Sequence, residues 1–165
     1  MTERKSNPAT ETSDRVLLIT RVFDAPPSLV FKVWTQPEYL VRWWGRKDFT
    51  LPSCEMDFRP GGAYRLCMRS PEGIDYWLSG VYREIVEPER IVFTWEREPA
   101  GDKPGNSSVV TVTFAEHDGK TKFALRQANF ETTEERNEYQ GGWTECLDSL
   151  SNYVSAKSVN QEAPK

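Results

Sequence analysis

The sequence contains a single histidine, His117, and three widely spaced cysteines, Cys54, Cys67 and Cys146. That scarcity excludes a disulfide framework and a Cys–His zinc pattern, and leaves small buried thiols in a reducing compartment. His117 lies in the polar turn "EHDGK" and reads as a surface residue. No apolar run approaches the roughly 20 residues that a transmembrane helix needs, so no membrane span is expected. The N-terminal "MTERKSNPATETSD" lacks the apolar stretch of a secretory signal, which makes the cytoplasm the expected compartment. Basic and acidic residues are interspersed and the net charge is -4, so there is no cationic stripe to follow a nucleic-acid backbone. Nucleophile motifs, metal clusters and phosphate-cradling loops are also missing, and no metal or cofactor is expected.

What is present is aromatic. The chain carries six tryptophans, six tyrosines and eight phenylalanines in 165 residues, enough for one domain with a real core. Two of the tryptophans, Trp43 and Trp44, are adjacent in "EYLVRWWGRKDF". Adjacent residues cannot share one packing surface, so one ring faces the core and the other needs a second apolar surface.

Residues 1–13 and 157–165 are polar and aperiodic and read as tails, leaving 14–156 as the domain. "RVLLITRVFD" is apolar on both alternating sets, as in a strand covered on two faces for part of its length. Asp24, Pro26 and Pro27 signal a helix start, with Val30, Val33 and Trp34 at helical spacing. Pro37 ends that helix and opens another, in which Leu40, Trp43 and Trp44 share a face up to a C-capping Gly45. From about residue 48 to 129, six segments rich in Thr, Val and aromatics alternate with turn signals such as "RPGG" and "EHDGK". They predict an antiparallel meander that the early strand joins as a seventh. Tyr139, Trp143, Leu147, Leu150 and Val154 then mark one apolar stripe of a long helix capped by Thr132 or Thr133. The class is α+β, a sheet with one face covered by the long helix.

The order β-α-α-β6-α resembles the helix-grip fold of START-like proteins, the SRPBCC superfamily. Within it, "VFKVWTQPEYLVRWWG", "FRPGGAYRLCM", "GVYREIVEPERIVFTW" and "GGW" are similar to single-domain relatives of the activator of heat-shock-protein-90 ATPase. The resemblance runs from about Arg15 to Ser155. It implies a curved sheet gripping the long helix, with a cavity between them that takes a small apolar molecule, and, as an alternative role, a stress-response or co-chaperone module that docks on a chaperone. Full activators carry a further N-terminal domain, whereas about 14 polar residues precede the first strand here. Monomer and homodimer remain equally open.

Strand alternation turns Met56 and Phe58, then Tyr64, Leu66 and Met68, toward that cavity, followed by Phe93, Trp95, Phe114 and Phe123. Tyr82 belongs to a strand, Tyr76–Val86, whose register the sequence leaves undecided. Trp34, Trp43, Trp44, Gly142, Trp143 and Leu147 supply the helical side of the expected ligand site. Gly141 and Gly142 lie inside the long helix, where each glycine costs roughly 1 kcal/mol against alanine. Close approach to the sheet or room for a ligand would offset that cost, and in the first case a methyl at Gly142 would intrude. Asp57 and Arg59 pair as a strand-end ion pair or a ligand-orienting couple. Glu84, Asp57, Arg126 and the tyrosines are what an enzymatic alternative, a cyclase- or hydrolase-like reaction in the same cavity, could use as acid or base. The expected role is binding, with no catalytic residue assigned.

Overall fold

The computed structural model describes residues 15–100 and 105–162. The expected tail at 1–13 lies outside the described residues. Strand β1 is Leu17–Phe23, helix α1 Pro27–Thr35 and helix α2 Pro37–Leu40. Six strands follow: β2 (Thr50–Met56), β3 (Ala63–Arg69), β4 (Asp75–Val86), β5 (Arg90–Arg97), β6 (Asn106–His117) and β7 (Lys120–Ala128). Helix α3, Thr133–Glu162, closes the chain order. The seven strands form one open, curved antiparallel sheet in the order β1-β7-β6-β5-β4-β3-β2. This is the α+β helix-grip architecture, and β1 completes it by pairing with the last strand, Ile19 opposite Leu125.

Several local readings need correction. Asp24 does not cap α1: the N-cap is Pro26, extended and without a side-chain bond, and Pro27 in the first turn supplies a preset φ. Helix α2 stops at Leu40, but the N–H groups of Trp43 and Trp44 still reach the Leu40 carbonyl at 3.2 and 3.1 Å. The expected spacing therefore survives in a string of turns, and Gly45, at φ +104°, swings the chain away from them. Strand β1 is covered on one face only: Leu17 and Phe23 are fully buried, while Leu18 and Val22 are 62% and 55% exposed. Helix α3 continues to Glu162, past the expected end at 156. Ala156 and Lys157 are good helix formers, and polarity by itself does not end a helix.

The undecided register of β4 has a structural cause. Leu78, Gly80 and Tyr82 face the core, but the pairing slips between Tyr82 and Glu84, so that Ile85 also turns inward. A bulge reverses the alternation partway along the strand, and no single period-two pattern fits both halves.

The inner face of the sheet is covered by α1 as well as α3. Trp143, Leu147, Leu150 and Val154 of α3 are buried, as are Val30, Phe31, Val33 and Trp34 of α1. Each such side chain contributes roughly 1.5–3 kcal/mol of burial. Thr132 caps α3 by accepting the Glu135 N–H at 3.0 Å, and Glu135 reaches back to the Glu131 N–H at 3.1 Å. Below Trp143, polar groups are paired inside the core. The indole donates to Gln127 Oε1 at 2.8 Å, and Gln127 Nε2 donates to Ser108 Oγ at 2.7 Å.

Candidate functional site

Trp43 and Trp44 follow the turns after α2, and the two rings diverge from a centroid separation of 5.6 Å. Trp43 enters the core beside Trp34, and its Nε1 donates to the Val33 carbonyl at 3.1 Å. Trp44 points toward the opening between sheet and helix, its Nε1 3.3 Å from Met68 Sδ. A cavity of about 150 Å³ lies there. Its floor is Trp44, Trp95 and Trp143, with ring centroids 5.5–6.1 Å apart at mutual angles of 35–85°. Such tilted and edge-on contacts are favoured by the ring quadrupole.

Three parts of the chain supply the walls. The segment after α2 gives Gly45, Arg46 and Phe49; the strand ends give Met68, Tyr76 and Arg97; and α3 gives Glu138, Tyr139, Gly142 and Cys146. Tyr139 accepts the Trp95 indole N–H at 3.1 Å. Burial raises the Tyr139 phenol above its ordinary range, with Arg97 pulling the other way, so the hydroxyl keeps its proton. Burial also pushes the Cys146 thiol up to about 12, opposed by the Gly45 N–H at 3.4 Å. A thiol held neutral is a packing group here, not a nucleophile. Arg46 arches along α3, 3.5 Å from Glu145, whose other oxygen accepts the Lys47 N–H at 2.9 Å.

Of the site residues expected from sequence, Trp44, Met68, Trp95, Gly142 and Trp143 line this cavity. Trp34, Met56, Tyr64, Leu66, Tyr82 and Phe93 surround a separate void of about 30 Å³, which Trp44 also borders. That volume is of the order of one water and holds no organic ligand. The remaining five border neither space: Trp43, Phe114, Phe123 and Leu147 pack within the core, and Phe58, partly buried, packs against it. Glu84 is exposed and paired with Arg90 at 3.1 Å, and Asp57 is exposed and paired with Arg59 at 2.9 Å. Neither carboxylate borders the cavity.

Sequence reasoning missed Arg46, Phe49, Tyr76, Arg97, Glu138, Tyr139 and Cys146 as lining residues. Tyr139 already headed the stripe of α3, and Cys146 stands one turn beyond Trp143, so helical spacing could have found both. Arg46 and Arg97 carry no periodic signal. Their role depends on where the sheet ends relative to the helix.

Among the described residues, no group of three or more His, Cys, Asp or Glu side chains is placed to hold a metal. No described helix is long and apolar enough to cross a membrane.

A sheet wrapped on a long C-terminal helix, with an aromatic cavity at one end of the contact, defines a helix-grip protein. The chain belongs to the family described as Activator of Hsp90 ATPase homolog 1-like protein, whose model matches residues 24–155. A solved protein from Chromobacterium violaceum is 27% identical, over 85% of this chain and 97% of that one, with a TM-score of 0.72. The AHSA1 protein from Silicibacter pomeroyi is 24% identical over 86% and 99% of the two chains, with a TM-score of 0.76. A protein from Nitrosomonas europaea is 21% identical over 90% and 99%, with a TM-score of 0.75. The last two bear on the fold alone. No curated protein matches the sequence.

Proposed function

We propose that the protein binds a small hydrophobic or aromatic molecule, without converting it, in the cavity between the sheet and α3. The observation that carries this reading is the triad of Trp44, Trp95 and Trp143 beneath a space of about 150 Å³. A space of that size in an apolar wall accepts a benzene-sized ring. Binding rather than catalysis is supported by the wall's chemistry. Its thiol is held neutral, and Asp57 and Glu84, the carboxylates the sequence offered as acid or base, stand on other surfaces, which leaves Glu138 as the carboxylate in the wall.

Native mass spectrometry of freshly purified protein tests this reading directly, and a retained small molecule is expected. An apolar fluorescent dye should saturate at about one site per chain, with micromolar affinity. Absence of both a retained molecule and saturable dye binding would sink the proposal. A second reading, docking on a chaperone, rests on the family description. Strong stimulation of an Hsp90 ATPase by stoichiometric protein would place it first.

A further inference from the structure

Each ring of the cavity floor engages its one polar group with a different partner. The Trp44 N–H lies 3.3 Å from Met68 Sδ, the Trp95 N–H donates to Tyr139 Oη at 3.1 Å, and the Trp143 N–H donates to Gln127 Oε1 at 2.8 Å. Met68 and Tyr139 line the cavity themselves, whereas Gln127 does not. It is fully buried on β7 and is held in turn: Nε2 donates to Ser108 Oγ at 2.7 Å, and Ser108 Oγ to Asn106 Oδ1 at 2.8 Å. Ser108, also buried, stands opposite Trp95 across β5 and β6, so the chain of hydrogen bonds runs below Trp143 and beside Trp95. One group sets the direction of every bond in it. An indole N–H only donates, so the Gln127 oxygen must face Trp143 and its NH2 must face Ser108. Ser108, accepting from Gln127, then turns its own proton toward Asn106. Further along the same strands the inner face is apolar: Val110, Val112 and Phe114 follow Ser108, and Phe123 and Leu125 precede Gln127. An apolar side chain at position 127 would fill the space without burying an amide, so packing alone does not call for glutamine. What a fully paired buried amide adds is a fixed orientation.

Resting on the ligand-binding reading above, we infer that Gln127 is a positioning residue of the cavity. Through Trp143 it sets the angle of the floor against which an aromatic ligand packs, and Ser108 and Asn106 hold it in place. The χ2 torsion of a tryptophan has broad minima, so a ring with open space on one side needs a further constraint. Without the bond to Gln127, the Trp143 ring can turn toward the cavity of about 150 Å³ and take volume from the ligand.

A double-mutant cycle on dye affinity tests this, with wild type, Gln127→Leu, Trp143→Phe and the double variant. Indole N–H signals of protein labelled with nitrogen-15 tryptophan are read alongside, the Trp143 signal being the one that Trp143→Phe removes. Gln127→Leu should move that signal upfield and weaken dye binding about fivefold, within the range one neutral hydrogen bond carries. Phenylalanine keeps a ring in the floor but has no N–H for Gln127 to hold. In that background Gln127→Leu should therefore change dye affinity by less than about twofold, the scatter of independent effects. Ser108→Ala, a smaller change, keeps the test available if the leucine variant does not fold; it should weaken the dye in wild type and not in Trp143→Phe. Equal losses in both backgrounds would overturn the inference and make Gln127 a packing residue of the sheet, while the ligand-binding reading stood. Wild-type dye affinity in Gln127→Leu, with the indole signal moved, would overturn it as well. No saturable dye binding by the wild-type protein would remove both.

Discussion

Tyr64 lies directly opposite Gly80 across β3 and β4, its ring edge covering the position where a side chain would stand. A Cβ on Gly80 would fall 2.7 Å from the ring of Tyr64 and 2.1 Å from the carbonyl oxygen of Thr94, the group to which the Tyr64 hydroxyl donates at 2.5 Å. Glycine is therefore required by close approach, and the ring replaces the packing that glycine lacks. Gly80→Ala should destabilise the fold by about 1–3 kcal/mol, the range for overpacking a filled site. Urea denaturation checks this, and a midpoint equal to wild type would contradict the stated geometry.

Gly142 is the opposite case. The structure corrects the expectation that a methyl there would intrude, because its neighbours would be the flexible arm of Arg46 at 3.7 Å, an ordinary contact. Gly142→Ala should stabilise by up to about 1 kcal/mol through helix propensity. Gly142→Phe should keep the fold and abolish dye binding, since its ring would occupy the cavity mouth. A destabilised alanine variant would mean that α3 crosses the sheet more tightly than described.

Trp143 serves both the core and the cavity floor, and two substitutions separate what it does. Trp143→Phe keeps most of the apolar contact but leaves Gln127 Oε1, fully buried, without its 2.8 Å donor. The expected loss is about 1–3 kcal/mol, the cost of an unsatisfied buried acceptor. Trp143→Ala should lose about 3–5 kcal/mol. Were the two variants equally stable, the hydrogen bond to Gln127 would account for the whole contribution of this residue.

Burial raises the phenols of Tyr64 and Tyr82 well above their ordinary value of 10.0. Unfolding returns them to about 10, so above that pH the unfolded chain releases protons that the folded chain retains. The stability tied to these groups is complete below pH 10 and falls as pH rises through and beyond it. Ultraviolet titration should show Tyr64 and Tyr82 ionising only together with loss of tertiary structure. Tyr64→Phe should flatten the alkaline limb of the stability curve; an unchanged limb would count against the assignment.

Strand number, the antiparallel meander, the long helix and its buried stripe were all legible in the sequence, because each is written in a local period. Alternation picked the inner face of β3, β5, β6 and β7, and helical spacing picked Trp143, Leu147, Leu150 and Val154. Even the question posed by adjacent tryptophans was local: two neighbouring rings must part, and Trp43 and Trp44 do.

Other features were decided only when the elements met. The slip at Tyr82–Glu84 depends on pairing with β5, which no single strand records. One-sided exposure of β1 reflects the uncovered outer face of the sheet, and apolar Leu18 and Val22 look like core residues until the covering layer proves absent. The site divides in the same way. Its aromatic floor was legible because large rings in a small domain must gather somewhere. Its polar rim was not, because Arg46 and Arg97 are 51 positions apart and share no element. Only the placement of the β5 end beside the glycine step of α3 brings the two to one opening.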